Sequence, residues 1–411
     1  MFFLYQTILS LILLISPIII IFRISKNKED KKRFKEKFCL FSKRNNSRET
    51  IWIHGASVGE ILSIIPIIKE LEKDKNIKKI LLTSSTTSSA SVVLKFKFKK
   101  TVHQYYPLDI NFLTKFFINY WKPKVAIFVD SEIWPNMYKN LYRKNIPLVL
   151  LNARLTNKSF KRWKFFPNFS KNIFNKITLA LPQNNETKNY LHLLGVKNIK
   201  IAGNLKYFGN SEKKKFKNNL RNRFYKRNIW CAASTHEEEE IFIGRAHIAV
   251  KSKIENLITI IIPRHINRTN SIKNELKSIG LKYQLHSENK KIKKNTDIYL
   301  VDTYGETRKF YNLSKLTFLG GSIIKHGGQN PLEPAREGNF IVHGPNVSNF
   351  KEVYEMLNFL KIKKKINSIK ELKKIILKKI DYNQNNKVKN KLKNIGDQIL
   401  TKNLLEIKKF I

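Results

Sequence analysis

The sequence predicts an α/β protein with two domains, each built on a mostly parallel sheet covered by helices. Apolar, β-prone runs alternate with helix-compatible segments through most of the chain, which is typical of parallel sheets. A chain of 411 residues also exceeds the usual size of one hydrophobic core. Two glycine-bearing turns, at 51–60 and 320–334, each follow an apolar run, at the position where open α/β sheets bind ligands.

The first segment, residues 1–22, is predicted to be a membrane anchor. It has no charged side chain, and as a helix it would be about 33 Å long, enough for the hydrocarbon core of a bilayer. A cleaved signal peptide is disfavoured because a basic leader and a small-residue cleavage site are both missing. Arg23, Lys26 and Lys28 follow at once, so we expect the rest of the chain on the cytoplasmic side. Pro17 leaves open a kinked helix that lies partly in the membrane interface.

The first domain is predicted over residues 23–210. Its expected strands are 50–54, 79–84, 102–106, 125–129, 147–151 and 177–181. Residues 211–228 are strongly basic and lose apolar periodicity, so they are predicted to form an interdomain linker.

The second domain is predicted over residues 229–411. Its expected strands are 229–233, 257–262, 297–301, 316–319 and 340–343. The acidic run 234–240 is interpreted as a helix amino terminus with a capping box, either Ser234 with Glu237 or Thr235 with Glu238. The two halves share no sequence repeat, so any likeness between them is architectural.

The charge and cysteine content limit the function classes. The formal net charge is +48, but lysine is spread over the whole chain, which favours solvated faces and attraction to anionic lipid over a nucleic-acid groove. Cys39 and Cys231 are the only cysteines and belong to no metal-ligand pattern, so a disulfide framework and a zinc site are improbable. The main body is therefore expected in a reducing compartment.

Three segments of the first half supply catalytic candidates. Glu60 begins an apolar helix after a glycine-bearing turn, where the helix dipole favours an ionised carboxylate that can act as a general base. The alternative is an ordinary first-turn glutamate. Asp130 and Glu132 follow an apolar strand, and they serve either chemistry or the structure of the loop. Lys206 follows another short strand and supplies a cation.

The second half offers groups suited to a nucleotide. Arg264 ends a predicted strand with a guanidinium, the natural fork for a phosphate. Asp302 to Glu306 follow another predicted strand. The turn that begins at Gly320 offers backbone N–H groups, then Asn330 and Glu333, of which the glutamate can accept hydrogen bonds from ribose hydroxyls.

With these motifs in view, the chain closely resembles the 3-deoxy-D-manno-octulosonic acid (Kdo) transferases of lipopolysaccharide assembly. The resemblance covers nearly the whole chain, and its motifs are specific in combination. They are residues 54–60, 106–109, 131–136, 152–155, 233–237, 263–265 and 320–333.

The resemblance implies a GT-B fold, with two Rossmann-like domains facing a central cleft. The first domain would hold a lipid A precursor (lipid IVA) and the second the CMP-Kdo donor, for inverting transfer at the bacterial inner membrane and its anionic inner leaflet. Glu60 matches the family's general base, and Asp130 and Lys206 match transition-state-stabilising groups. The CMP contacts carry over to Arg264, His265, Tyr304, Gly305, Glu306, Asn330, Pro331, Leu332 and Glu333. Neither a metal nor a cofactor is implied.

Two departures and two alternatives accompany this resemblance. The family usually has glutamate where this chain has Asp130, so the charge is kept but the reach is shorter, and Thr307 stands where leucine is more usual. Another membrane-associated GT-B transferase would use a different nucleotide-sugar. A membrane-tethered nucleic-acid binder is disfavoured because the aromatic residues cluster in apolar segments instead of interleaving with a basic patch.

Overall fold

The chain folds into two compact units. The computed structural model describes residues 1–26, 28–41, 49–208, 219–384 and 386–411. Unit 1 comprises Met1–Phe208 together with Ile395–Ile411, and unit 2 comprises Gly209–Asn394. The expected pair of Rossmann-like, parallel-sheet domains is therefore confirmed.

In the described part of unit 1, six parallel strands form one sheet in the order β3-β2-β1-β4-β5-β6. These strands are almost wholly buried, as expected for apolar runs that are covered on both faces. They are β1 (Thr50–His54), β2 (Lys79–Ser84), β3 (Thr101–Tyr105), β4 (Pro123–Val129), β5 (Leu148–Ala153) and β6 (Leu179–Pro182).

Helices cover the sheet of unit 1, and alternate strand residues point to its two faces. Trp52 belongs to one core cluster, while its neighbours Ile51 and Ile53 belong to the other. The helices are α1 (Phe2–Ser25), α2 (Val58–Lys73), α3 (Thr87–Leu94), α4 (Asn111–Trp121), α5 (Pro135–Arg143), α6 (Asn157–Lys164), α7 (Pro167–Phe174) and α8 (Asn185–Leu193).

Unit 2 repeats this architecture without repeating the sequence. Counting its described residues alone, seven parallel strands follow the order β13-β12-β11-β7-β8-β10-β9. They are β7 (Asn228–Thr235), β8 (Leu257–Pro263), β9 (Tyr283–Leu285), β10 (Ile298–Leu300), β11 (Leu316–Leu319), β12 (Phe340–His343) and β13 (Lys363–Lys365). The helices are α9 (Asn219–Arg223), α10 (Glu239–Lys251), α11 (Thr269–Ser278), α12 (Thr307–Leu313), α13 (Leu332–Arg336), α14 (Lys351–Phe359) and α15 (Ile369–Lys379). The last helix, α16 (Asn386–Lys408), begins in unit 2 and ends in unit 1.

Each sheet contains a point at which the strand order reverses. In unit 1 this point lies between β1 and β4, and in unit 2 it lies between β7 and β11. The loops at the carboxyl ends of such strand pairs leave a crevice in which open α/β sheets bind ligands. Both glycine-bearing turns of the sequence follow strands at these points, the first after β1 and the second after β11.

The predicted linker and the predicted end of the second domain are compared with the two units of the structure. Residues 211–218 of the predicted linker lie outside the described residues, and the rest of that segment contains α9. The prediction that 229–411 forms one domain is wrong at its end, because Ile395–Ile411 belongs to unit 1. The reason is packing: apolar side chains of α16, such as Leu400 and Ile407, lie in a core cluster of unit 1.

The carboxyl-terminal segment Ile395–Ile411, which contains most of α16, is expected to stabilise unit 1. Ile407 is fully buried in that cluster, whereas Leu405 on the same helix is 61% exposed. Truncating a buried isoleucine removes transfer free energy and leaves a cavity. We expect Ile407→Ala to lower the free energy of unfolding by about 2–5 kcal/mol, measured by denaturant titration. The matched control Leu405→Ala should stay within about 0.5 kcal/mol of the parent. Equal effects of the two substitutions would contradict this packing.

Candidate active site

Glu60 lies in the first turn of α2, next to the point where the strand order of unit 1 reverses. Its carboxylate completes a capping box with Ser57. Glu60 Oε2 accepts a 2.6 Å hydrogen bond from the Ala56 N–H, and Oε1 accepts a 2.8 Å bond from the Ser57 hydroxyl. Glu60 is thus also the ordinary first-turn glutamate that the sequence left as an alternative.

The charge state of Glu60 is set by its surroundings more than by the helix dipole. Burial and the nearby carboxylates of Glu132 and Asp130 raise its pKa above the usual 4.5, while the Ser57 and Ala56 hydrogen bonds oppose this rise. The dipole argument predicted the opposite direction. A carboxylate with a raised pKa is a stronger base once it is ionised.

Asp130 occupies a strained position directly after β4. It is 9% exposed, and its backbone adopts φ +63°, a left-handed conformation uncommon for residues other than glycine. Lys206 Nζ lies 3.8 Å from Asp130 Oδ2. Burial raises the pKa of Asp130, although the positive charges of Lys206 and Arg154 act in the other direction. The structure therefore brings Asp130 and Lys206 together, as the resemblance implied.

A hydrogen bond from the 152–155 motif stabilises the turn that carries Lys206. Asn152 is fully buried with φ +53°, and its Oδ1 accepts a 2.9 Å hydrogen bond from the Leu205 N–H. Gln183 bonds to both Asn152 O and Asn204 Nδ2, at 2.9 and 3.0 Å. The motif thus acts through the backbone to position Lys206.

Glu132 is a site residue that the sequence analysis noted without giving it a separate role. Its Oε2 accepts a 2.9 Å hydrogen bond from Trp134 Nε1 and lies 3.2 Å from His54 Nε2. His54 is fully buried, with its other ring nitrogen 2.9 Å from Thr83 Oγ1. Because its charge raises the pKa of Glu60, Glu132 belongs to the same group of carboxylates.

In unit 2, histidine and arginine side chains gather at the carboxyl ends of β7 and β8. The rings of His236 and His326 lie 4.3 Å apart, and those of His236 and His265 lie 6.0 Å apart. Burial, His326, His265 and Arg264 together lower the pKa of His236 to about 4. His236 is therefore neutral at pH 7, and the exposed Arg264 supplies the positive charge beside it.

The glycine-rich turn after β11 passes the end of β7 very closely. A Cβ on Gly320 would lie 2.3 Å from Ser234 O, and Gly321 has φ +64°. Both positions therefore require glycine. The ligand-binding position predicted for this turn does not explain Gly320, where it is the chain's own backbone that approaches closely.

Glu239 accepts hydrogen bonds from backbone N–H groups of the glycine-rich turn, which the sequence predicted to be available to a nucleotide. Its fully buried carboxylate accepts hydrogen bonds from the N–H groups of Gly321, Ser322 and Ile323, at 2.7, 3.0 and 3.0 Å, and of His236 at 3.0 Å. These donors are engaged within unit 2. The role of Glu239 was missed because its partners in the glycine-rich turn lie more than 80 residues away in the sequence.

The predicted capping box in the acidic run is wrong. Strand β7 continues to Thr235, and α10 begins at Glu239 after Glu238, which has φ +73° and makes no side-chain cap. Glu240 instead accepts a 2.9 Å hydrogen bond from the Thr235 hydroxyl and pairs with Arg268 at 3.0 Å. These carboxylates therefore organise the strand end and the glycine-rich turn.

The remaining nucleotide-binding candidates lie in two loops of unit 2. Tyr304 is 70% exposed, and Gly305 follows it with φ +83°. Although burial opposes it, hydrogen bonds from Lys309, Thr303 and His286 lower the pKa of Glu306 to about 2. Its carboxylate is therefore ionised and engaged with its own neighbours.

The second loop leads into α13. Asn330 Oδ1 accepts a 3.1 Å hydrogen bond from the Leu332 N–H. Pro331 and Leu332 are buried, whereas Glu333 is exposed in the first turn of that helix. Of these four residues, Glu333 presents its side chain to solvent.

Comparison with known proteins places this chain among the Kdo transferases. Residues 32–208 match the family model described as 3-Deoxy-D-manno-octulosonic-acid transferase (kdotransferase). A 3-deoxy-D-manno-octulosonic acid transferase of Haemophilus influenzae is 32% identical over 85% of this chain and 84% of its own length. Its counterpart in Rickettsia bellii is 33% identical over 94% of this chain and 93% of its own length. The chain belongs to the Kdo transferase family. It is thus a glycosyltransferase of lipopolysaccharide core assembly, as the motifs indicated.

Solved structures agree at the level of the fold. A UDP-GlcNAc 2-epimerase from Neisseria meningitidis superposes with TM-score 0.59 at 14% identity, covering 87% of this chain and all of the epimerase. The glycosyltransferase of kitacinnamycin gives TM-score 0.52 at 10% identity, over 88% of this chain and 99% of that one. At such identities the likeness concerns architecture alone, and it is the GT-B architecture expected from the sequence.

Proposed function

We propose that this transferase moves Kdo from CMP-Kdo to a hydroxyl of a lipid A precursor, lipid IVA, with inversion at the anomeric carbon. The observation that carries the proposal is the grouping of Glu60, Asp130 and Lys206 in unit 1 of a chain that belongs to the Kdo transferase family. Unit 2 would hold the CMP group. The exposed cation of Arg264, beside neutral His236, suits a phosphate ester.

The proposed reaction is a direct displacement. Glu60 takes the proton of the acceptor hydroxyl, whose oxygen then forms a bond to the anomeric carbon on the face opposite the phosphate. The bond from that carbon to the phosphate oxygen breaks, and CMP leaves with the electron pair. Because CMP leaves as a stable anion, no acid is needed to protonate it. One carboxylate in the base role is therefore sufficient.

Charge stabilisation is assigned to side chains in both units. Arg264 in unit 2 would stabilise the charge that develops on the departing phosphate. Lys206, paired with Asp130, would support the transition state from unit 1. The N–H groups of Gly321, Ser322 and Ile323 already donate to Glu239, so the turn would act by its shape and not by offering these N–H groups to the nucleotide.

The proposed location is the cytoplasmic face of a bacterial inner membrane. Among the described residues, Phe2–Ser25 forms one helix long and apolar enough to cross a membrane. The basic residues that follow it and the high net charge suit an anionic leaflet. Such a location would hold the catalytic units beside a lipid acceptor.

The decisive test is the identity of the product. The full-length protein is incubated with a tetra-acylated lipid A precursor and CMP-Kdo, and the product mass is measured. We expect an increase by one or more Kdo units, and NMR of the new linkage should show inversion. UDP- and GDP-sugars serve as competitors. Transfer of one of those sugars, with none from CMP-Kdo, would replace the proposed donor, and retention at the anomeric carbon would overturn the mechanism.

The raised pKa of Glu60 leads to a prediction about pH. A general base works only when ionised, so kcat/KM should fall as the pH drops through a value above 4.5. Replacing Glu132 by glutamine removes a repelling charge and should shift this acidic limb to lower pH. The control is Glu70→Gln. Glu70 lies on α2, as Glu60 does, but its side chain is 39% exposed and pairs with Lys73. An acidic limb that stays at the same pH, or moves to higher pH, in Glu132→Gln would contradict the assignment of Glu60 as the general base.

A further inference from the structure

One side of α1 is packed against unit 1 along the whole length of the helix. Residues shielded from solvent recur every three or four positions, while most residues between them are exposed. The shielded positions are 2, 5, 6, 9, 13, 16, 20, 23 and 24. A helix of 24 residues is about 36 Å long. The stripe therefore begins in the first turn and ends in the last.

Specific contacts hold the first turns of α1. The Tyr5 hydroxyl donates a 2.7 Å hydrogen bond to Asp109 Oδ2, and Gln6 Nε2 donates to Asn136 Oδ1 at 3.2 Å. Asp109 and Asn136 are buried and bonded to each other through the Asn136 N–H at 3.0 Å. Lys139 Nζ lies 4.1 Å from the centre of the Phe2 ring. The amino-terminal end is thus fixed to buried groups of unit 1.

The last turn of α1 is held to the same unit. Arg23 Nε donates a 3.1 Å hydrogen bond to Glu29 Oε2, and Lys37 Nζ binds that oxygen at 2.8 Å. The carbonyl of Lys37 accepts a 3.0 Å bond from the Leu108 N–H. Between the two ends, Leu9 and Leu13 pack against the core cluster that contains Trp52.

These contacts decide between the two orientations that the sequence left open. A helix that crosses a bilayer has its ends on opposite sides of about 30 Å of hydrocarbon, so one folded domain on one side cannot hold both ends. From this geometry we propose that α1 does not cross the membrane. It lies along unit 1, parallel to the bilayer, with its outer face inserted into one leaflet.

The outer face of α1 has the chemistry of a leaflet-inserted surface. Monomeric soluble proteins rarely expose a contiguous apolar patch of this kind. The exposed side chains include Phe3, Leu4, Ile8, Leu11, Ile12, Leu14, Ile15, Ile18, Ile19, Ile21 and Phe22. Their apolar area would enter the boundary between headgroups and acyl chains.

Cations lie at both ends of this face. Lys139 lies over the Phe2 ring at one end. Burial lowers the pKa of Lys139, and the nearby positive charge of Arg143 lowers it further. Arg23, Lys26 and Lys28 lie at the other end. Each cation near an anionic surface contributes about 1 kcal/mol to membrane binding. We therefore assign the outer face to one leaflet of an anionic bilayer and not to a second copy of the chain.

This proposal also explains why composition suggested a crossing helix. An interfacial helix usually has a polar side. In α1 the inward side is apolar as well, because Leu9 and Leu13 contact a hydrophobic core. The helix therefore has the composition of a spanning segment while one of its sides is covered by protein. The inference depends on contacts within unit 1 and is independent of the sugar donor.

The test measures depth along the helix. Single cysteines replace Leu4, Leu11, Ile15 and Phe22 in the full-length chain, which is spin-labelled and placed in vesicles of phosphatidylethanolamine and phosphatidylglycerol. The chain's own Cys39 and Cys231 are buried and should label poorly. Leu405→Cys is the aqueous reference, because α16 packs in the other core cluster of unit 1. Electron paramagnetic resonance with oxygen and a nickel chelate then gives the depth of each label.

The two orientations give different depth profiles. An in-plane helix places all four labels at one shallow depth, about 5–10 Å below the headgroups. A crossing helix places the labels at Leu11 and Ile15 near the bilayer centre, about 15 Å deep, with those at Leu4 and Phe22 near opposite surfaces, and that profile would overturn the proposal. Labels that reach neither lipid nor water, together with a dimer in solution, would assign the face to a second copy and would overturn it equally.

Discussion

Replacement of Glu60 by glutamine is expected to reduce kcat by about 10²–10⁴-fold, the usual contribution of a general base, with CMP-Kdo affinity nearly unchanged. The glutamine amide has the shape of the carboxylate but cannot accept the acceptor's proton. The fold should persist, because glutamine also serves in a capping box and its oxygen can still accept the Ala56 N–H. Turnover is followed by product mass and donor binding by calorimetry.

A second substitution separates the capping role of Glu60 from its chemical role. Ser57→Ala removes the cap and the hydroxyl that donates to Glu60 Oε1. It should lower stability by about 1 kcal/mol and leave turnover largely intact, with the acidic limb of the rate moved to higher pH because that hydrogen bond lowers the pKa of Glu60. Near-normal turnover in Glu60→Gln, or equal losses of turnover in both variants, would refute the base assignment.

The central strands could be predicted from sequence because their own side chains specify them. β1, β2, β11 and β12 lie where the sequence placed them, residue for residue. Each is an apolar run buried by helices on both faces, so composition and structure carry the same information. The turn after β1, which carries Glu60, could be located for the same reason.

The edge strands of unit 2 could not be predicted in this way. β13 consists of Lys363–Lys365 and β9 of Tyr283–Leu285, and they form the two edges of the sheet in unit 2. β13 is a strand because Ile341, Val342 and His343 pair with it, and not because of its own composition. The short, charged edge strand β13 also discourages pairing with other chains.

The surface against which α16 packs likewise could not be predicted from its local sequence pattern. Leucine and isoleucine at helical spacing among lysines indicate an amphipathic helix here, but not the surface that it covers. Which surface it covers depends on residues far away in the sequence: Asn403 Nδ2 lies 3.5 Å from Ala202 O, and Lys408 pairs with Asp74 at 3.0 Å. The partners of Glu239 were hidden for the same reason, since no local periodicity links an acidic run to a glycine-rich turn.

Substitution of Glu239 by glutamine is expected to destabilise unit 2 and to abolish CMP binding. The side-chain NH₂ would face backbone N–H groups where a carboxylate oxygen now accepts them. An unsatisfied buried donor costs about 1–3 kcal/mol, so losing two acceptor contacts should lower the free energy of unfolding by at least about 2 kcal/mol. The turn from Gly321 to Ile323 would lose its anchor, and with it the placement of His236 beside His326.

The matched control for Glu239 is Glu237→Gln in the same acidic run. Glu237 is exposed, so its change removes one negative charge and should leave both stability and binding near those of the parent. Thermal unfolding and CMP calorimetry on the full-length chain measure the two effects. Because Glu239 lies in unit 2, its loss should appear first in donor binding, whereas Glu60→Gln should appear in turnover. Parent-like melting and CMP affinity in Glu239→Gln would show that the glycine-rich turn keeps its shape without this carboxylate.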